Sequence, residues 1–512
     1  MGIAHGQLYR NTFRELPSQR GGSFAMEFFN PRIIYLFLGI VIIWKLYQRK
    51  DHVIDRIIST VLYPLRNEHG QNIKGPRWKY SDGQCLDKFL RGREASLEWR
   101  QYGPVYRICV ITRPDDVKIF HSDSPSHLKS KSSNGGWLFH ELLGDCMGLI
   151  NGDRWEQVRA QFKHHFIHRS VSSISSHIEL AATGYLQSLE RQDAESFEVH
   201  AASDFSRFPF MTTAEYLYGP LTENEKEELW NLGQQSLALM GNVLSGGVYR
   251  FGLCQWMRPH SFRRLRSFQN QWQNFNQRLV NSRALSNNHQ PPIVEAWMAM
   301  EKGCISMNEI LQTLSEMLFA NLDVSTHVLS WLIIFLAEDI DIQQQVRAEI
   351  SANPGSLAEL CGRKDTLLQF CFLESARLRP FTIFTIPESS PRTKIIGGYI
   401  IPSHTSVVVD TLAINYNQKF WGNDHSRFNP HRFQHLSSTE LRYNLFTFGF
   451  GTRRCLGQHF AEAMLKHFVY HLLNRYEIDL PRLDAKKTWS SQPIQDTWVP
   501  IANARVILKP RK

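Results

Sequence analysis

The stretch FGFGTRRCLG, Phe448–Gly457, constrains this chain more than any other. Gly449 and Gly451 give a loop that can bend sharply. The run that follows, AEAMLKHFVYHLLNRY from Ala461 to Tyr476, has helical amphipathicity. Cys455 therefore sits where a glycine-rich loop feeds a helix that starts near Leu456. Unpaired backbone amides and the positive end of a helix dipole stabilise a thiolate, and Arg453 and Arg454 add positive charge. That setting suits a ligand or a nucleophile better than an inert buried thiol.

The other cysteines narrow what that is. The eight stand at 85, 109, 146, 254, 304, 361, 371 and 455. None forms a C-x-x-C pair, and no cysteine–histidine group has zinc spacing. Scattered single cysteines in a long chain read as reduced thiols of a cytosol-facing protein, most of them core residues. A nucleophilic Cys455 would need a base, and the nearest, His459, lies one turn along the same helix. A haem iron needs only one thiolate, with donors to moderate its charge and a cation for a propionate. The stretch offers both. Gly451 lets the loop approach a porphyrin, Gly457 permits a close helix, Arg453 can reach a propionate, and Phe448 can shield the sulfur.

Lys and Arg number 58 against 48 Asp and Glu, a net charge of +10. That excess reads as a solvated basic surface, or as a face for an anionic membrane or acidic protein. No arginine-rich run or base-stacking motif points to nucleic acid. Ile33–Trp44 is a run of twelve uncharged, mostly apolar residues, extended by Phe28, Phe29, Leu46 and Tyr47. A bilayer core asks for ~20 such residues, which is met if Arg32 and Lys45 snorkel. No small-residue cleavage site follows, so a single membrane anchor is expected rather than a signal peptide. The expected organisation is a polar extension over 1–27, an anchor over 28–48, a proline- and glycine-broken linker over 49–80, and one large domain over 81–512.

Within that domain, strands are expected over 103–112 and 394–409. Helices are expected over 153–166, 180–190, 205–245, 260–285, 307–337, 340–351, 366–378 and 461–476. The fold class is mostly α with a small β region.

Four ordered motifs make a family resemblance specific. F-x-x-G-x-R-x-C-x-G is the haem-binding loop of the cytochrome P-450 family, matched at Phe448, Gly451, Arg453, Cys455 and Gly457. Glu374 and Arg377 resemble its E-x-x-R helix, FNPHRF its F-x-P-x-R-F stretch with Arg432, and Trp155 and Arg159 its W-x-x-x-R helix. Each alone has a plain reading: a surface ion pair, a turn, or core with a snorkelling arginine. Their order before a matching cysteine loop is what carries the likeness, over roughly residues 60 to 510. The resemblance implies the P-450 fold and haem b with Cys455 as proximal iron ligand. It places Trp155 and Arg159 near the propionates and makes Glu374, Arg377 and Arg432 a buried charge network behind the loop. It also implies a microsomal monooxygenase on the endoplasmic reticulum, its catalytic domain facing the cytosol, that takes electrons from an NADPH–cytochrome reductase. Arg154, Lys163, Arg454 and Lys466 are candidates for that partner's docking face, with a fully solvated face as the alternative.

The long helix departs from the family. FANLDVSTHVLSW matches at Ala320 and Asp323, but Asn321 replaces a glycine and Val324 stands at the usual threonine. Oxygen activation needs protons on the side opposite the sulfur. One residue along a helix is a rotation of ~100°, so Ser325 serves in place of residue 324 only if a bulge shifts the frame. Asp323 with Ser325 is the expected relay, with Thr326 the next hydroxyl and water held by Asn321 another route. Both hydroxyls can instead bond to carbonyls one turn back.

Trp137, Phe139, Phe319, Phe381, Phe384 and Trp498 lie in the family's substrate-contacting segments and suit a medium-sized, partly apolar small molecule. The ANLDVST form resembles members from filamentous-fungal secondary-metabolite pathways, including those that oxidise cyclic dipeptides of the epidithiodiketopiperazine type. Hydroxylation is the expected reaction. Desaturation, ring formation or coupling on the same fold, and a haem-thiolate binding protein without turnover, are the alternatives.

Overall fold

A computed structural model describes residues 97–102, 106–130, 135–190, 195–285, 290–481 and 502–511. The expected extension, anchor and linker, and Trp498, lie outside the described residues.

Helix α1 spans Gly152–Lys163, α2 Arg207–Tyr218, α3 Met307–Glu338, α4 Leu367–Leu378 and α5 Gln458–Arg475. The core is built around α3. Ser306 and Glu309 close a reciprocal cap at its start, which satisfies two amides that a helix end leaves free. From Leu329 to Ala337 every residue is buried. A helix apolar on all sides belongs inside a protein or a membrane. Among the described residues, α3 alone is long and apolar enough to cross a bilayer, and 76% of its most apolar window is buried within the protein. It is a core helix.

Glycine and proline set most of the differences from the expected boundaries. The pattern over 205–245 is two helices, because Gly219 at φ +75° and Pro220 break it. The second, Glu223–Ser245, restarts on a Thr222–Glu225 capping box. Residues 394–409, expected as strands, form three of them. β6 (Lys394–Ile396) and β7 (Tyr399–Ile401) make a hairpin over Gly397 and Gly398, both at positive φ.

β8 (Ser406–Val409) enters a different sheet of five strands in the order β1-β2-β8-β5-β3. There β1 is Leu97–Tyr102, β2 Tyr106–Ile111, β3 Leu128–Lys129 and β5 Glu388–Ser389. β2 and β8 pair in parallel, Cys109 opposite Val407 and Ile111 opposite Val409, all four buried. The short antiparallel pair β3–β5 sets Leu128 opposite Ser389 and Lys129 opposite Glu388. A third sheet joins β4 (Phe197–His200), β10 (Arg505–Pro510) and β9 (Tyr476–Asp479).

Behind the cysteine loop lies a buried ion network. Arg377 Nε donates to Glu374 Oε2 at 2.7 Å and Nη2 to Oε1 at 2.8 Å, with neither residue exposed. Arg432 Nε donates to the same Oε1 at 3.0 Å, and its Nη2 to Asp424 Oδ2 at 3.0 Å. The spare donors of Arg377 go to the carbonyls of Asn415 and His425, and its guanidinium lies 4.9 Å from the Trp421 ring centre. This satisfies nearly every polar atom, the condition under which buried charge is tolerated. Arg377 thereby ties α4 to the segment 415–433 that leads into the loop.

Candidate active site

The loop before α5 is held by one backbone bond, Cys455 N–H to Phe448 O at 2.8 Å. That closure needs left-handed residues, supplied by Gly449 at φ +87° and Gly451 at φ +66°. Gly451 is doubly constrained, since a Cβ there would sit 2.6 Å from Ser124 Oγ. Gly457 is different. Its Cβ would meet only Cys455 Sγ, at 3.9 Å, an ordinary contact. Its role visible here is the backbone N–H that hydrogen-bonds to the sulfur.

Cys455 lies deep in the protein yet keeps accessible surface, because it faces an internal cavity of about 440 Å³. Burial pushes its thiol above the ordinary value, and the Gly457 amide and Arg159 pull it down. The cavity runs between α5 and α3. Its walls are mostly apolar, with Phe166, Phe372, Phe381, Phe384, Phe446 and Phe460 among them. Phe448 also lines it and stacks on Phe372 with ring centres 6.3 Å apart.

Cations gather at one edge. Trp155 and Arg159 of α1 line the cavity with Arg453. Both guanidiniums lie over the Trp155 ring, at 4.5 Å for Arg453 and 5.4 Å for Arg159. Arg453 Nη2 donates to Ile150 O at 2.8 Å, which fixes its direction. Burial lowers Arg453 to about 10, still charged at neutral pH. Lys129 and His121 complete this edge. His121 Nδ1 is buried without a hydrogen-bond partner, and a buried polar atom so placed calls for one from a bound group. These residues fit haem b: a sulfur for the iron, cations and an orphaned imidazole nitrogen for its carboxylates, and aromatic walls for its faces.

Across the cavity, α3 contains a π-helical turn at Glu316–Ala320. Beyond it Asn321, Val324, Ser325 and Val328 face the cavity. Ser325 thus lies beside Val324 on the cavity wall without replacing it, on the ordinary α-helical face that follows the π turn. Its hydroxyl donates to Asn321 Oδ1 at 2.5 Å, Asn321 Nδ2 donates to Thr213 Oγ1 at 3.3 Å, and Thr213 Oγ1 donates to Pro209 O at 2.7 Å. Asp323 and Thr326 are not among the lining residues. The Thr326 hydroxyl donates to Leu322 O at 2.6 Å, the bond one turn back that competes with a relay role.

Of the expected substrate contacts, Phe381 and Phe384 line the cavity. Phe319 does not. It is core, 4.8 Å from Trp272 between ring centres. Trp137 and Phe139 pack against the outside of the core. Lys466 is a correction on the docking face: it is 1% exposed, its Nζ donates to Gln369 Oε1 at 2.7 Å, and burial lowers it to about 8. The apolar stripe of α5 carries it inward. Lys163 and Arg454 are exposed, and Arg154 is exposed but engaged with Glu309.

Sequence reading missed Lys129, His121, Glu388, Glu316 and Thr213. Glu388 is a buried acid at the cationic edge, bonded through Oε1 to Lys129 and through Oε2 to His127 Nδ1 at 3.2 Å. His127 Nε2 in turn meets Asp123 Oδ1 at 2.8 Å. Only the pairing of β3 with β5 brings these residues together, and nothing local signals it.

A cysteine sulfur facing a largely apolar cavity, cations along one edge and a bulged helix opposite define a haem-thiolate site. Comparison with known proteins agrees. The Cytochrome P450 family profile matches residues 99–507. The chain is 36% identical over 458 residues to "Cytochrome P450 monooxygenase sirC" of Leptosphaeria maculans, covering 87% of this chain and 89% of the relative. It is 33% identical over 516 residues to "Cytochrome P450 monooxygenase hasH" of Aspergillus fumigatus, covering 94% of each. It is 35% identical over 466 residues to "Cytochrome P450 monooxygenase gliC" of the same species, covering 87% and 90%. The chain belongs to the cytochrome P450 family. It is a monooxygenase, and its cofactor is haem held by a cysteine thiolate.

Proposed function

We propose that this protein is anchored in the endoplasmic reticulum by residues 28–48, faces the cytosol, and hydroxylates a medium-sized organic substrate with electrons from an NADPH–cytochrome reductase. The substrate class is a cyclic dipeptide, a diketopiperazine, of a fungal secondary-metabolite pathway. The resemblance of ANLDVST to such members and the fungal sources of the relatives support that class. The carrying observation for the chemistry is Cys455 facing the aromatic cavity with Arg453 and Arg159 at its edge.

Bound through Cys455, haem supplies the activation of dioxygen. The chain's own residues do the rest. Arg453, Arg159, Lys129 and His121 hold the carboxylate edge of the cofactor, and Trp155 keeps the two guanidiniums in place. Phe448 and the loop exclude water from the sulfur. The aromatic walls bury the substrate, and dry walls strengthen the few polar contacts left inside. Ser325 holds a proton at its hydroxyl, backed by Asn321 and Thr213, while Asp323 on the same helix acts through solvent. Lys163 and Arg454 present positive charge to the reductase.

The spectrum of the reduced, CO-bound protein tests the site. Wild type is expected to give the shifted Soret band of thiolate ligation, and Cys455→Ser to lose both band and turnover. A variant that keeps them refutes the assignment. Deleting residues 1–49 is expected to leave a haem-loaded body released from membranes on fractionation. Loss of haem on truncation would put that segment in the core. Host-gene deletion with metabolite profiling, and product analysis with a diketopiperazine, test the substrate class and separate hydroxylation from other oxidations.

A further inference from the structure

Two acids line the cavity, and their surroundings differ. Glu388 is committed to Lys129 and His127. Glu316 forms no ion pair among the described residues. Its Oε2 accepts the Gly148 N–H at 3.0 Å, and the Cys146 thiol also bonds to the carboxyl. The carboxyl lies deep in the protein yet keeps accessible surface, and that surface opens onto the cavity. A carboxyl in a mostly apolar chamber costs free energy wherever bonding capacity beyond the Gly148 and Cys146 contacts is left unmet.

Two further observations show that the chain is shaped around this group. Residue 148 is glycine, and a Cβ there would overlap Glu316 Oε1. The loop is cut away where the carboxyl sits. Glu316 also opens the π-helical turn. With i→i+5 bonding, residues five apart come onto one face, so Glu316 joins Asn321 on the cavity wall. Met317 and Asn321, four apart, share the cavity wall as in a continuous α-helix, and the π turn adds Glu316 beside them.

We propose that Glu316 reads a cis-amide of the substrate. A lactam or diketopiperazine ring presents N–H and C=O side by side on one edge. A carboxylic acid presents C=O and O–H in the matching order. The two can pair through two antiparallel hydrogen bonds, with the amide N–H donating to the carboxyl oxygen and the acid O–H donating to the amide carbonyl. Burial raises Glu316 above the ordinary carboxylate value, although the Gly148 amide, Arg453 and Lys129 oppose it. That favours the protonated form this pairing uses. The inference rests on the proposed diketopiperazine class and gives it a named contact.

The test is binding to the haem-loaded full chain by calorimetry, with cyclo(Gly-Phe) and its N,N′-dimethyl derivative as probes. Wild type is expected to prefer the N–H form by about tenfold or more, the size of one buried hydrogen bond left unmade. Glu316→Leu is expected to reduce that preference to about one, with haem content and affinity for the dimethyl probe unchanged. Glu316→Gln keeps part of it, because a carboxamide also offers a donor beside an acceptor. Gly148→Ala displaces the carboxyl without removing it and is expected to act like Glu316→Leu. A preference that survives Glu316→Leu, or is absent from wild type, overturns the assignment. Failure of wild type to bind either diketopiperazine sinks the diketopiperazine class alone. Glu316 is then judged with 6-benzyl-2-piperidone and its N-methyl derivative, which keep one cis-amide. Equal binding of that pair, or no binding of either, overturns the role of Glu316.

Discussion

Glu374→Gln is the sharpest single perturbation of this fold. The carboxylate accepts four hydrogen bonds: two from Arg377, one from Arg432 Nε and one from Asn429 N at 3.0 Å. Glutamine keeps an oxygen at the Oε1 position, so three acceptor contacts survive. At Oε2 an NH2 group would face Arg377 Nε–H, a donor against a donor. One charge-assisted bond is lost, worth ~1.5–3 kcal/mol. Arg377, with no exposure, also loses its one anionic partner among the described residues, where Asp424 pairs with Arg432. Breaking one partner of a buried pair costs about 3–5 kcal/mol, and that range is the expectation here. Total stabilities are ~5–15 kcal/mol, so the variant is expected to fold but to hold haem poorly at 37 °C. Urea unfolding of the haem-loaded protein reads the loss, and a haemochrome assay reads haem content. Glu374→Asp keeps the charge and loses reach, so it should fall between. A loss for Glu374→Gln below about 1 kcal/mol, or no larger than that of the exposed Glu440→Gln, would refute the reasoning.

Three further outcomes follow from particular contacts. Ser325→Ala should lower the ratio of product to NADPH consumed, while Thr326→Ala, already bonded to Leu322 O, should leave it nearly unchanged; the reverse pattern would mean that the cavity-facing register of α3 is misassigned. Gly451→Ala forces a left-handed φ on a residue with a Cβ, at about 1–2 kcal/mol, and meets Ser124; adding Ser124→Gly should restore only the steric part in thermal unfolding. Burial alone would raise Glu388, but Lys129 and His127 hold it down at about 2. A depressed acid stabilises the fold above its unfolded value of 4.5 and loses that contribution as pH falls towards 2. Glu388→Gln should therefore flatten the stability profile between pH 4.5 and 2, and an unchanged slope there would count against the pairing.

Sequence by itself determined the sulfur and its scaffold. The spacing of Phe448, Gly451, Arg453 and Cys455 is local, and a loop of ten residues folds on short-range backbone rules that can be read directly. Glu374 and Arg377 are three apart on one helix, so their pairing was legible from periodicity. Strands and helices appeared where apolar period and glycine or proline breaks agree, as around β8 and α5. The tertiary structure decided what depends on contacts across the chain or on departures from regular geometry. Lys129 and Glu388 meet only because two two-residue strands pair over 259 positions. Lys466 reads as a surface cation, yet the packing of α5 against its neighbours carries it inside, to Gln369. Above all, the π turn of α3 changes the angular period for one turn. The expected relay paired Asp323 with Ser325, whereas Glu316, Asn321 and Ser325 line the cavity and Asp323 does not. No periodicity in the sequence announces such a bulge, because its cost is met by packing on every side of the helix.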